Sequence, residues 1–219
     1  MDVKKLAEEI IAGKRLTRQD DLSFFLTCDL KELQEGADLI RKHFCGDKVD
    51  LCTIINGKSG RCGENCKYCA QSAHNKTGIE EYPFLCKDKI VNEALANESE
   101  GVDRFAIVTA GRGLVGEDFK KAIDAYKTMK QKCKLSLCAS HGFLTAEQFH
   151  RLHEAGVESY HENIETSRRF FPPTFALPTP MMKRLSPLSW LKKKASVYAV
   201  AALSAWVKPG RIDWIWLLA

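Results

Sequence analysis

The sequence predicts an α/β fold, a partial (β/α) TIM-type barrel of about its first half, preceded by a helical segment. Three observations predict it. Strand-like and helix-like segments alternate along residues 49–172, roughly every 25 to 30 residues, as in βα units. Glycine or polar residues follow several strand ends, where barrel active sites are built. Two amphipathic helical patterns precede the first strand.

The N-terminal segment, residues 1–48, is predicted to be helical because its apolar residues recur at helical spacing. In residues 3–12 the apolar face consists of Leu6, Ile10 and Ile11. In residues 29–44 it consists of Leu30, Leu33, Ala37, Leu39, Ile40 and Phe44. Both stretches are therefore predicted to be amphipathic helices, each with one buried face.

Residues 49–172 are predicted to form the βα core. Four short apolar runs are predicted to be strands: Val49–Ile55, Arg104–Thr109, Lys134–Cys138 and Val157–Ile164. Helices are predicted between them at Lys89–Glu98, Glu117–Met129 and Thr145–Ala155. The last helix opens with a capping box that includes Gln148, and Gly156 is expected to close it.

Residues 173–219, called the tail below, differ in composition from the rest of the chain. Residues 1–172 carry 26 Lys and Arg against 27 Asp and Glu, whereas the tail carries seven basic residues and one acidic residue. All nine cysteines and all six histidines precede the tail, and all four tryptophans lie in it. Its apolar residues follow neither the strand nor the helix period, so we expect it to be disordered.

The cysteine content indicates metal ligation or redox chemistry. The N-terminal residues MDVKKLAEEIIAGK carry acids within their apolar pattern, unlike a signal peptide, and no apolar run approaches the ~18 residues of a membrane span. We therefore expect a cytoplasmic protein that has no membrane partner. Because cytosolic thiols are kept reduced, nine cysteines are not expected to form a disulfide framework.

Three cysteines, Cys62, Cys66 and Cys69, form a C-x3-C-x2-C pattern after the first predicted strand. Three thiolates on one loop can bind three irons of a cubane cluster and leave the fourth iron open to a small molecule. A structural zinc ion with His74 as its fourth ligand is the alternative. Structural zinc sites usually pair two short ligand turns, and the sequence has no second C-x2-C.

The segment GRCGENCKYCAQSAH, followed by NKTGIE, resembles the radical S-adenosylmethionine superfamily and, within it, the biotin synthase family. The likeness extends to RFAIVTAGRG, LSLCASHGFL and YHENIETSRRFFP, and so covers most of residues 1–172. The resemblance implies a 4Fe–4S cluster and S-adenosylmethionine, which is cleaved to methionine and a 5′-deoxyadenosyl radical. It also implies dethiobiotin as the substrate and an auxiliary cluster, 2Fe–2S or related, as the source of the inserted sulfur.

The same resemblance implies roles for individual residues. The implied metal ligands are Cys62, Cys66 and Cys69 for the 4Fe–4S cluster and Cys138 for the auxiliary cluster, and the implied contacts to S-adenosylmethionine are Asn163 and Glu165. A buried core thiol is the alternative for Cys138, and ordinary strand-end polarity is the alternative for the other two. Ala106 stands where many biotin synthases have an auxiliary-cluster cysteine. The implied partners are an electron donor such as flavodoxin or ferredoxin and a second copy in a homodimer, with no nucleic acid.

The tail has neither of two segments expected from the resemblance, one like NICTTHTY and a glycine-rich strand like VCSGGIIGMGET. Back-translated with ordinary codons and read one nucleotide earlier, TFALPTPMMK becomes NICTTHTYDE and VYAVAALSAWVKP yields VCSGGIIGMGET. We infer a change of reading frame near Pro172 and Pro173, whose codons can form a run of C. A basic RNA-binding or membrane-binding tail is the competing interpretation, but the tail has no amphipathic period.

An incomplete barrel has unpaired strand edges, so we expect this chain to be unstable, without an intact auxiliary cluster and impaired in biotin formation. Two other function classes remain open at this point. One is another radical enzyme, such as a hydrogenase-maturation relative. The other is a non-catalytic module that binds zinc or an iron–sulfur cluster.

Overall fold

A computed structural model of the chain describes residues 2–17, 19–165 and 197–202. The described residues belong to two compact units, one within residues 1–49 and one within residues 50–206. No helix in the described part of the chain is long and apolar enough to cross a membrane.

The first unit is helical, as predicted. It contains helix α1 (Val3–Ile11), a short 3₁₀ turn (Ser23–Leu26) and helix α2 (Leu30–Cys45). The side chain of Asp2 caps α1 by accepting a hydrogen bond from the backbone N–H of Lys5. The side chain of Asp29 caps α2 by accepting from the backbone N–H groups of Lys31 and Glu32. The buried side chains among the described residues of this unit are those of Val3, Leu6 and Ala7, and Val3 and Ala7 pack against Gly36 of α2.

The described residues of the second unit form five parallel strands and three helices. The strands are β1 (Cys52–Lys58), β2 (Arg104–Thr109), β3 (Ser136–Ser140), β4 (Val157–Glu165) and β5 (Val197–Ala202). The helices are α3 (Lys87–Ser99), α4 (Gly116–Lys132) and α5 (Ala146–Glu154). The strands lie side by side in the order β1-β2-β3-β4-β5, and each neighbouring pair is parallel.

Parallel strands in sequential order, with helices in the connections, are the winding of a (β/α) barrel. The described strands and helices therefore confirm the predicted α/β class. All strand carboxyl ends meet at one edge of the sheet, and this edge receives the loops that follow β1, β2 and β3.

The two faces of the sheet differ in chemistry because successive side chains of a strand point to opposite faces. One face packs against the helices and forms the apolar core, which includes Phe105, Ile107, Leu137, Tyr126 and Met129. We call the opposite face the inner face. Residues placed on it by strand register include Arg104, Ala106, Cys138 and Ser159. The helix layer thus supplies the hydrophobic stabilisation and leaves the inner face free for polar groups.

Local signals in the sequence account for α5. Thr145 accepts a hydrogen bond from the backbone N–H of Gln148, whose side chain accepts one from the backbone N–H of Thr145, so the predicted capping box is confirmed. At the other end Ala155 is the C-cap residue, and Gly156 follows it with φ +102°. Gly156 therefore closes the helix one position later than the C-cap itself.

Strand β5 lies in the tail, where we expected no regular structure. The segment VYAVAA pairs in parallel with β4, with Ser159 opposite Val197 and Asn163 opposite Ala201. Its apolar and β-branched residues suit a strand, and pairing with β5 satisfies the backbone groups on that side of β4. The remaining residues of the tail lie outside the described residues.

Candidate metal centre

The three cysteines of the C-x3-C-x2-C pattern lie on the loop that follows β1, and backbone hydrogen bonds hold this loop in shape. The N–H of Cys62 donates to the carbonyl of Gln71, and the N–H of Ala73 donates to the carbonyl of Cys62, both at 2.9 Å. The N–H of Cys69 donates to the carbonyl of Cys66 at 3.1 Å. The loop thus closes on itself and keeps the three cysteines together.

Two polar side chains reinforce the same loop. The amide nitrogen of Asn75 donates to the carbonyls of Cys66 and Cys69, each at 2.9 Å. The hydroxyl of Ser72 donates to the carbonyl of Glu64 at 2.7 Å. Because carbonyl groups in a loop lack the partners that a helix or strand provides, these side chains satisfy groups that would otherwise compete for water.

The three cysteines line one cavity of about 400 Å³ at the carboxyl edge of the sheet. Its other walls come from β1, from the loops after β2 and β3, and from β4: Asn56, Thr109, Gly111, Arg112, Ser140, Gly142, Phe143, Glu162 and Asn163 are among the lining residues. Ligand sites of parallel α/β sheets lie at this edge, because loops from several strands converge there. The cavity is therefore the candidate site for a cofactor and a small molecule.

The donor set fits an iron–sulfur cluster better than a single metal ion. Within the described ranges no group of three or more His, Cys, Asp or Glu side chains is arranged to hold one ion. His74, the proposed fourth zinc ligand, is exposed and does not line the cavity. A cubane cluster needs thiolates distributed around it rather than converging on one point, and three thiols around one cavity meet that need.

Two loops of the cavity wall are joined by their backbones. The N–H of Phe143 donates to the carbonyl of Arg112 at 2.8 Å, and Gly113 and Gly142 form an antiparallel bridge. Gly142 has φ +68°, and a Cβ atom there would collide with the carbonyl oxygen of Arg112. Only glycine allows the loop after β3 to pass so close to the loop after β2.

A buried glutamate and an exposed arginine line the cavity together. The Glu64 side chain is only 5% exposed, and its Oε1 lies 3.6 Å from Nε of Arg112. Both residues line the cavity. The pair links the cysteine loop to the loop after β2. Our sequence reasoning missed it, although a glutamate between two cysteines of the pattern was a signal.

Beneath the cavity, a buried histidine ties β2, β3 and α4 together. His141 is fully buried, with Nδ1 3.1 Å from Oγ1 of Thr109 and Nε2 3.1 Å from the hydroxyl of Tyr126. Because the Tyr126 hydroxyl donates its proton to the carbonyl of Cys138, it accepts from Nε2–H, and Nδ1 accepts from Thr109. Burial lowers the pKa of His141 to about 3, so the imidazole stays neutral.

The structure places the other predicted site residues as follows. Asn163 lines the cavity with the three cysteines. Glu165 is the last residue of β4, and its side chain lies outside the described ones. Cys138 is buried on the inner face, beside Ala106 of β2, and is not among the residues that line the cavity. Its pKa is raised, first by burial and then by the nearby thiol of Cys52, while Arg104 acts in the opposite direction.

Comparison with known proteins agrees with this geometry. The family model described as "Radical SAM superfamily" matches residues 56–186, which include the end of β1, the cysteine loop and β2 to β4. The chain belongs to the radical SAM superfamily. SAM here stands for S-adenosylmethionine, so the superfamily predicted from the cysteine motif is confirmed.

Curated relatives give a narrower likeness. The chain is 62% identical over 169 residues to the biotin synthase of Clostridium beijerinckii, which covers 77% of this chain and 54% of that protein. It is 60% identical over 172 residues to the biotin synthase of Alkaliphilus metalliredigens, which covers 78% and 54% respectively. The chain thus spans about half the length of the curated relatives it matches.

Solved structures show the same fold at low sequence identity. The FeFe-hydrogenase maturase HydG matches with a TM-score of 0.75 at 17% identity, over 92% of this chain and 46% of that one. HydG from Carboxydothermus hydrogenoformans matches with a TM-score of 0.72 at 16% identity, over 91% and 48%. These likenesses concern the fold alone and do not favour the hydrogenase-maturation alternative.

Proposed function

We propose that this chain is the N-terminal part of a biotin synthase, which inserts sulfur into dethiobiotin with the aid of S-adenosylmethionine. The observation that carries the proposal is the 62% identity to a curated biotin synthase over 169 residues. The arrangement of three cysteines and Asn163 around one cavity supports it, because a radical enzyme must hold cluster and S-adenosylmethionine in contact.

In this proposal Cys62, Cys66 and Cys69 would hold a 4Fe–4S cluster, and the chemistry that it supplies when bound is the reductive cleavage of S-adenosylmethionine. The chain's own groups position the reactants. The hydrogen bonds of Asn75 hold the carbonyls of Cys66 and Cys69 in place. Such preorganisation reduces the conformational entropy lost on binding.

Asn163 and Glu165 would bind S-adenosylmethionine, the neutral amide and the carboxylate being suited to the ribose diol. Asn163 lies on the β4 side of the cavity, across from the cysteine loop of β1. Phe143, Gly142 and Gly111 form part of the cavity wall. This wall would keep water from the reacting atoms, while the glycines let the ligand approach the backbone closely.

The proposal includes the domain assignment. Residues 1–48 form a helical segment, residues 49–172 form the radical SAM core, and residues 173–219 are read out of frame. Dethiobiotin, an electron donor such as flavodoxin or ferredoxin, and a homodimer partner belong to the proposed complete enzyme. A cytoplasmic location also remains a prediction.

The test has two stages. First, the gene is resequenced across the codons for Phe170 to Pro180, and a version with the frame corrected by one nucleotide is prepared. Both proteins are reconstituted anaerobically with iron and sulfide and supplied with a reductant, S-adenosylmethionine and dethiobiotin. We expect cluster absorbance in both, and biotin only from the frame-corrected protein.

Substitution of Cys62 by Ala should remove the 4Fe–4S absorbance, whereas Cys86→Ala, which changes an exposed cysteine outside the loop, should leave it unchanged. A frame-corrected protein that holds its clusters and cleaves S-adenosylmethionine without forming biotin would contradict the proposed substrate. Retention of full cluster absorbance in Cys62→Ala would contradict the ligand assignment.

A further inference from the structure

Two of the nine cysteines lie on strands, and both lie on the inner face of the sheet. Cys52 begins β1 and Cys138 is in the middle of β3. Strand register pairs Ile54 with Ala106 and Ala106 with Cys138, so these three side chains share a face. Cys52 precedes Ile54 by two residues and therefore shares that face too.

The thiol of Cys52 lies close enough to raise the pKa of Cys138. The two residues lie on either side of strand β2, where Arg104 is in register with Cys52 and Ala106 is in register with Cys138. Cys138 is 8% exposed and Cys52 is exposed. The methyl group of Ala106 offers no metal donor beside Cys138.

A positive charge lies on the same face and is held in place. Arg104 pairs in register with Cys52 and with Ser136. Its guanidinium donates to the hydroxyls of Ser136 at 3.3 Å and Ser159 at 3.0 Å, and it lies 3.7 Å from the carboxylate of Asp50. The guanidinium acts to lower the pKa of Cys138, although burial, the larger effect, raises it. A thiolate is the form that binds metals, and a cation on the same face offsets its charge.

We propose that Cys52 and Cys138 form a two-thiolate site on the inner face that supplies ligands to the auxiliary iron–sulfur cluster, with Cys52 providing the donor that Ala106 lacks. The inference rests on the proposed function, because the auxiliary cluster is expected only in a biotin synthase. On binding, each thiol releases its proton to solvent and forms one sulfur–iron bond, with no change of oxidation state. Further ligands would come from the rest of a complete barrel.

The experiment uses the full chain with Cys62, Cys66 and Cys69 replaced by Ser, so that the loop no longer binds metal. Cobalt(II) is titrated under anaerobic conditions, and the thiolate-to-cobalt charge-transfer absorption is recorded. We expect Cys52→Ser and Cys138→Ser each to weaken cobalt binding by more than the roughly tenfold loss typical of an outer-shell change. Cys86→Ser replaces another exposed cysteine and is expected to leave the titration unchanged.

A second measurement needs no substitution on the inner face. In the same variant, in which the three loop cysteines are replaced by Ser, alkylation of each remaining cysteine is followed by mass spectrometry with and without cobalt(II). We expect Cys52 to be protected by the metal and Cys86 to react equally in both samples. Equal reactivity of Cys52 with and without metal, or a titration that Cys52→Ser leaves unaltered, would overturn the inference. Neither measurement involves S-adenosylmethionine or dethiobiotin. Failure of the biotin assay alone would therefore contradict only the proposed function.

Discussion

The buried imidazole of His141 makes the stability of the fold dependent on pH. In the folded chain its pKa is lowered to about 3 by burial, whereas in the unfolded chain it returns to about 6.5. Below pH 6.5 the unfolded chain therefore binds a proton that the folded chain does not, and stability falls as the pH falls. Between pH 7 and pH 5 this one group lowers the free energy of unfolding by about 2 kcal/mol.

The assay is urea denaturation of the metal-free chain at pH 7, 6 and 5, followed by circular dichroism. Other groups titrate over this range, so the informative quantity is the difference between variants. We expect His141→Gln to lower stability at pH 7 but to reduce the loss between pH 7 and pH 5 by about 2 kcal/mol. His150→Gln changes an imidazole that is exposed on α5 and serves as the matched control.

An unchanged pH dependence in His141→Gln would refute this reasoning. If that variant does not fold, the ring protons of His141 in the unsubstituted chain can be followed by NMR. A shift that titrates near pH 6 would show that the imidazole is protonated in the fold, contrary to its burial between Thr109 and Tyr126.

Two further predictions concern the candidate metal centre. Asn75→Ala removes two hydrogen bonds to the cysteine loop and should speed the loss of iron to a chelator, because it lowers the stability of the loop by about 1 to 3 kcal/mol. Asn97→Ala changes a partly exposed amide on α3 and should not alter iron retention. Gly142→Ala adds a Cβ against the carbonyl of Arg112 and should lower the urea midpoint more than Gly101→Ala, because Gly101 has φ +84° but no atom within 4 Å of such a Cβ. Equal midpoints, or equal iron loss in the two Asn variants, would contradict these assignments.

The sequence predicted both ends of β2 correctly and predicted the ends of the helices to within a few residues of those observed. It could do so because apolar periodicity and helix capping depend on residues that are near one another in the chain. The ends of β1 and β3 were placed too early. Both strands continue to the cavity through polar residues, Asn56 to Lys58 in β1 and Ser140 in β3, whose strand conformation comes from pairing with β2. Strand ends that depend on hydrogen bonds to a neighbouring strand cannot be predicted from the apolar pattern of the strand itself.

The spacing of cysteines along the chain predicted one part of the site but not the other. It identified Cys62, Cys66 and Cys69, since three ligands within one loop are close in space whatever the rest of the fold does. It assigned no role to Cys52, which lies far from Cys138 in sequence. Only the register of three strands brings those two thiols to one face.

The sequence by itself determined the α/β class, the capped helices and the cysteine loop, because each depends on contacts between residues near one another in the chain. Only the tertiary structure decided which groups meet: Glu64 with Arg112, His141 with Tyr126, and Asn163 with the cysteine loop in one cavity. These contacts depend on the order and register of the strands, and the residue pattern of one segment does not specify which segment lies beside it.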